Sequence, residues 1–129
     1  MARQKVFVSF DFDNDLTIKM FLVNQSKLED TPFDIWDSSV KEHMDGDWVA
    51  KVKAKIRNVD IVCVLCGEKT HTAKGVAIEL QIAKDMGKPY FLLKGYKERN
   101  CTKPTTANTA DKMYDWTWDN LKTLIHGGR

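Results

Sequence analysis

Apolar residues recur along this chain with two alternating periods, and the switches between them mark out the elements. Lys5-Val-Phe-Val-Ser-Phe10 is short, β-branched and aromatic, which predicts a first strand. Asp11-Phe-Asp-Asn-Asp15 follows with turn and helix-capping residues. Leu16, Met20 and Val23 then stand at helical spacing, predicting a helix from Asn14 to Leu28 that Thr31-Pro32 ends. Phe33-Asp-Ile-Trp36 alternates as a brief second strand. Beyond it, Ser38 or Ser39 caps a short helical turn, with Glu42 as the capping-box partner of Ser39. Gly46 interrupts and Asp47 caps the next helix, whose Trp48, Val52 and Ile56 share one face.

Val59-Asp-Ile-Val-Cys-Val-Leu-Cys66 is nearly continuous in apolar residues. That pattern belongs to a central parallel strand covered on both sides. Gly67 to Gly75 reads as a loop. Val76 to Met86 predicts a helix with Val76, Leu80 and Ala83 on one face, closed by Gly87 at the C′ position. Tyr90-Phe-Leu-Leu93 is another buried strand. Gly95 to Ala110 is polar and without period, either a mobile loop or a functional one. Lys112-Met-Tyr114 is a short edge strand. Thr117 then caps a last helix carrying Trp118, Leu121 and Ile125. The order β-α-β-α-β-α-β-(β)-α predicts an α/β fold: one flavodoxin-like domain over residues 1–129, with a central parallel sheet and helices on both faces.

Composition narrows what such a domain does. With 43% apolar residues, the 129-residue chain can build a core. Its net charge of +2 leaves no strongly basic surface, so nucleic acid is not an expected partner. The longest apolar stretch, Ile61 to Cys66, falls far short of the roughly 20 residues of a spanning helix. No membrane association is expected, and an odd cysteine count points to a reducing, cytoplasmic location.

Several chemistries can be tested against the spacing. No G-x-G-x-x-G follows the first strand, and no Walker lysine motif or G-x-S-x-G elbow occurs. Cys63 and Cys66 have C-x-x-C spacing within a strand, where residues three apart lie ~10 Å apart on opposite faces. Neither a disulfide nor a metal knuckle fits that geometry, so both read as core, and no metal site is expected. Asp11, Asp13 and Asp15 suggest the acidic pocket of a receiver domain. The aspartate required after the third strand is absent, because Cys66-Gly67 stands there. In an open α/β sheet, ligands bind beyond the carboxyl ends of the strands. Here that means Phe10 to Asp13, Asp37 to Ser39, Cys66 to Thr72, and Lys94 to Arg99.

Three segments together resemble the TIR-like domains of Thoeris antiphage systems. Val6-Phe-Val-Ser-Phe-Asp11 resembles the opening strand, and Asp60-Ile-Val-Cys-Val-Leu-Cys-Gly67 the central strand ending in a small residue. Gly75-Val-Ala-Ile-Glu79-Leu80 resembles the helix that carries the catalytic glutamate. Gly87-Lys-Pro89 and the strand after it fit the next element, and the Trp116 and Trp118 segment resembles the closing helix. The sequence departs from the common TIR pattern twice. Val76-Ala77 replaces the Trp-Cys that often precedes the glutamate, and the loop after the second strand is short.

The resemblance implies cleavage of NAD at the nicotinamide–ribose bond, with NAD as substrate rather than cofactor. It also implies self-association, and an effector protein that responds to a linear or cyclic ADP-ribose product. Glu79 is then the catalytic carboxylate, and Ser9, Phe10, Asp11, Trp36 and Gly67 are candidates for substrate contact. One carboxylate suffices for this chemistry. Glycosidases use a second to protonate the leaving group, whereas nicotinamide leaves a cationic pyridinium as a neutral molecule. From the residues alone, plainer roles stand beside these. Glu79 near a helix start complements the helix dipole, Phe10 and Trp36 pack as strand-end core, and Asp11 caps a turn. A non-catalytic nucleotide-binding or assembly module is therefore the alternative function.

Overall fold

Parallel strands alternate with helices along the computed structural model, which describes residues 4–11, 14–27, 33–38, 46–96 and 100–125. In chain order they are β1 (Gln4–Ser9), α1 (Leu16–Ser26), β2 (Phe33–Ser38), α2 (Gly46–Arg57), β3 (Ile61–Cys66), α3 (Lys74–Asp85), β4 (Tyr90–Lys94), β5 (Met113–Tyr114) and α4 (Trp118–Ile125). A 3-10 turn, Thr70–Thr72, precedes α3. The strands form one parallel sheet in the order β2-β1-β3-β4-β5, the flavodoxin-like arrangement. This is the α/β fold that the sequence predicts.

The sheet sits between two helical layers because its strands present apolar side chains alternately to each side. Val6, Val8, Ile61, Cys63, Leu65, Phe91 and Leu93 pack with Ile18 and Leu22 of α1 and Leu121, Leu124 and Ile125 of α4. Phe7, Val62, Val64, Cys66 and Leu92 pack on the other side with Trp48, Val52 and Ile56 of α2 and Val76, Leu80 and Ala83 of α3. All six residues of β3 are buried, as its unbroken apolar run predicts. Cys63 and Cys66 fall in opposite layers, and both thiols are free. Burial pushes the Cys66 thiol up to about 12, with nearby Cys101 adding to the shift. Such a thiol stays protonated at neutral pH and serves as packing.

Three local expectations are corrected. The buried stripe of α1 is Ile18 and Leu22, whereas Leu16 and Met20 are 41% and 49% exposed. Apolar residues surround this helix, so spacing alone fits more than one stripe and the sheet selects between them. Asp47 lies inside the first turn of α2 rather than at its cap. Helix α3 begins at Lys74, two residues before the predicted start, and no acid stands in its first turn. Glu79 is therefore too deep in the helix for the dipole role. The proposed Ser39–Glu42 capping box lies outside the described residues.

Other expected boundaries hold. Gly87 closes α3 with a φ of 66°, the left-handed conformation that favours glycine. The Thr117 hydroxyl accepts the Asn120 backbone N–H at 3.1 Å and so caps α4. The later part of the polar stretch after β4 is tied down by hydrogen bonds. Thr106 Oγ1 donates to the Ala77 carbonyl at 2.7 Å, and Lys84 Nζ donates to the Thr106 carbonyl at 2.8 Å. Tyr90 donates its hydroxyl to Asp111 at 2.7 Å. These bonds strap residues 106–111 to α3 and to the start of β4.

Candidate functional site

The site is built where β1, β3 and β4 end. Strand alternation sends Val6, Val8 and Phe10 towards α1 and α4, and sends Phe7 towards α2 and α3. Ser9 shares the parity of Phe7, so its side chain is directed at α3. Helix α3 rests on the sheet through Val76, Leu80 and Ala83, and Glu79 lies on the same buried side. The Ser9 hydroxyl donates to Glu79 Oε1 at 2.7 Å. Glu79 is 2% exposed and Ser9 fully buried. A carboxyl group taken from water this completely needs polar partners, and Ser9 supplies one at the distance of a charge-assisted bond.

The remaining candidates fall in different places. Asp11 is 8% exposed and accepts a hydrogen bond from Asn14 Nδ2 at 2.6 Å. Its carbonyl accepts the Asn14 and Asp15 N–H groups, which turns the chain from β1 into α1. Phe10 is buried in the α1 and α4 layer, on the far side of the sheet from Glu79. Trp36 lies in β2 at a register shift: Val6 pairs with Ile35 and Phe7 with Asp37, so Trp36 is the extra residue of a bulge. Its side chain is outside the described set, as are residues 12–13, 39–45 and 97–99. Among the described residues, no group of three or more His, Cys, Asp or Glu is placed to hold a metal ion.

Gly67 directly follows β3 and is fixed from several directions. Its N–H donates to Thr70 Oγ1 at 2.7 Å, and its carbonyl accepts the Thr102 N–H at 2.9 Å. A Cβ at this position would run into both carboxylate oxygens of Asp15. Asp15 is 2% exposed, so its carboxylate has little room to withdraw. We expect Gly67→Ala to cost roughly 1–3 kcal/mol, the range for overpacking a filled site. Chemical denaturation of Gly67→Ala, Asp15→Ala and the double variant checks this. Removing the Asp15 carboxylate should recover part of the loss, and strictly additive costs would refute the contact.

Asp15 and Tyr96 are the residues that sequence reasoning passed over. The Tyr96 hydroxyl donates to Asp15 Oδ1 at 3.2 Å. With Asn14, Glu68 and Lys69 they line a cavity of about 150 Å³ at the strand ends. The sequence presents Asp15 as one of three acids that suggest a receiver-type pocket, a reading the residues after β3 exclude, and Tyr96 as an aromatic at the start of a polar loop. The pairing links positions 81 residues apart, which no local pattern signals.

The model of the family described as Thoeris protein ThsB, TIR-like domain, matches residues 7–99. No curated protein matches the chain. Among solved structures, it is similar to the TIR domain of the Toll-related receptor TRR-2 from Hydra magnipapillata. That match has 14% identity and a TM-score of 0.51, and covers 94% of this chain and 90% of the other. At this identity the likeness shows the shared fold.

Proposed function

This chain belongs to the family of Thoeris ThsB TIR-like domains, and from that premise we propose that it cleaves NAD between nicotinamide and ribose, with Glu79 as the catalytic carboxylate. The observation that supports this most is the buried hydrogen bond between Glu79 and Ser9 at the carboxyl end of β1. It places a carboxylate beside the strand ends, where open α/β sheets bind their ligands. The departing nicotinamide takes the electron pair of the broken carbon–nitrogen bond and leaves neutral. Positive charge develops on the ribose, and a fixed anion in a water-poor site stabilises it. Water adding to the anomeric carbon gives ADP-ribose and releases a proton. An internal hydroxyl or ring nitrogen adding instead gives a cyclic isomer. Either product would serve as a nucleotide signal to an effector protein in antiphage defence.

Glu79 is enclosed, so catalysis on this reading requires an opening that admits substrate. We expect self-association to provide it. Nicotinamide release from NAD, followed by chromatography, should then rise more steeply than in proportion to protein concentration. The mass of the second product distinguishes hydrolysis from cyclisation. Strictly proportional activity would refute the need for association. Absence of release at high concentration would refute the enzymatic reading for the isolated chain.

The same enclosure favours a second reading, a nucleotide-binding or TIR assembly module without turnover. There the Ser9–Glu79 bond would serve only to lock α3 onto β1. The module would bind nucleotide or its own copies and release no nicotinamide under any condition.

A further inference from the structure

Two free thiols stand at the junction where β3 ends, and the proposed reaction uses neither. Cys66 is the last residue of β3, fully buried in the layer shared with α2 and α3. Cys101, in the segment between β4 and β5, is half-buried and packs against that same layer. Hydrogen bonds on either side bracket the pair. The Gly95 N–H donates to the Cys66 carbonyl at 2.9 Å, and Cys101 Sγ donates to the carbonyl of the next residue, Tyr96, at 3.5 Å. One residue beyond each cysteine, the Thr102 N–H donates to the Gly67 carbonyl at 2.9 Å. The Thr102 hydroxyl adds contacts to the Gly67 and Glu68 carbonyls, each at 3.3 Å. The two thiols also sense one another: after burial, nearby Cys101 does most to keep the proton on Cys66.

The third cysteine is excluded from this arrangement. Cys63 is 1% exposed and lies in the opposite layer of the sheet. A disulfide needs Cα atoms roughly 4.4–6.8 Å apart and side chains that point towards each other. Cys66 and Cys101 meet the second condition by facing one layer, and the backbone bonds keep their segments side by side. Strand β3 is clamped between β1 and β4, so any adjustment falls to the Cys101 segment, which belongs to no helix or strand. Exposure decides the order of events, because a reagent in solution meets Cys101 first.

We propose that Cys66 and Cys101 are a redox pair, which a low-molecular-weight disulfide oxidises to an intramolecular disulfide. The Cys101 thiolate attacks one sulfur of the reagent. The reagent's sulfur–sulfur bond breaks, and its other half leaves with the electron pair and takes up a proton. Cys66 then loses its proton to solvent and attacks the Cys101 sulfur, expelling the second half as a thiolate. In sum, each protein thiol gives up one electron and one proton, and the reagent is reduced to two thiols. Burial makes the second step the slower, since Cys66 holds its proton tightly. While reduced, Cys66 is packing. Once closed, the bond pins Cys101 and Thr102 to the tip of β3, beside Gly67 and the turn that leads into α3. The inference does not depend on cleavage of NAD.

The test incubates the reduced full chain with excess oxidised glutathione at mildly alkaline pH, without denaturant. Remaining thiols are alkylated after unfolding, and intact mass and proteolytic fragments are read. We expect a chain lighter by two hydrogen atoms, free of glutathione, with the Cys66 and Cys101 fragments joined and only Cys63 alkylated. Cys66→Ala should stop with glutathione on Cys101. It alters a filled core position, so Cys101→Ser, at a half-buried site, is the second variant; it should leave Cys66 and Cys63 both open to alkylation. Glutathione that persists on Cys101 of the wild-type chain would overturn the proposal, as would thiols that do not react. A bridge that includes Cys63, a bridge between two chains, or closure only in denaturant would overturn it as well.

Discussion

Glu79→Gln is expected to reduce nicotinamide release by a factor on the order of 10²–10³ while leaving the fold intact. Glutamine keeps an acceptor oxygen where Glu79 Oε1 accepts the Ser9 hydroxyl, so the buried hydrogen bond survives. What disappears is the negative charge. A fixed charge in an enclosed site contributes most where charge develops in the transition state, and removing one such group typically has an effect of this size. The loss should appear in kcat, because a group that acts on the transition state contributes little to ground-state binding. The checks are single-turnover release of nicotinamide and thermal unfolding of both proteins. A variant that retains native activity would remove Glu79 from the chemistry. A variant that unfolds far below the native protein would show that the charge serves the fold.

Leu80→Ala, one residue along, is expected to do the opposite. Leu80 is fully buried and packs with Phe7, Val62, Val64, Val76 and Ala83 between α3 and the sheet. Truncation removes apolar contact and leaves a cavity that a close-packed sheet fills poorly, at a cost of about 2–5 kcal/mol. This is a large part of the roughly 5–15 kcal/mol that stabilises a typical domain. Denaturant unfolding should show the midpoint fall with little change in slope. Any activity of the remaining folded protein should keep the native substrate dependence. A cost below about 1 kcal/mol would mean that α3 is held chiefly by its polar straps, through Thr106 and Lys84, rather than by its apolar face.

These neighbours also show what was legible in the sequence. The β3 strand and the faces of α2 and α3 were readable because each has one period and one apolar stripe. Helix α1 was half-readable. Its existence followed from spacing, but Leu16, Met20 and Phe21 are apolar and exposed, and only the sheet decides which stripe is covered. Glu79 stands out through resemblance, and its burial is implicit in the helical pattern, because it lies three residues after Val76 and four before Ala83 on the apolar stripe of α3. The Ser9 contact was implicit in strand parity, since a residue two after Phe7 faces the same layer. Phe10, one residue further, was grouped with Ser9 by proximity along the chain, although the pleat sends it to the other side. The Asp15–Tyr96 pairing depends on contacts between the start of α1 and the loop after β4, so neither segment's pattern contains it.

That pleat makes β1 a strict ruler. Each residue added or removed within Gln4–Ser9 would exchange the two sides of everything beyond it, bringing an aromatic ring to the carboxylate of α3 and carrying the hydroxyl into hydrocarbon. The strand is also clasped between β2 and β3 over most of its length, so it cannot slide to absorb the change. Length is therefore as much a part of this site's chemistry as residue identity. Variation can change many side chains in β1 conservatively, but it cannot change their number without dismantling the contact between Ser9 and Glu79.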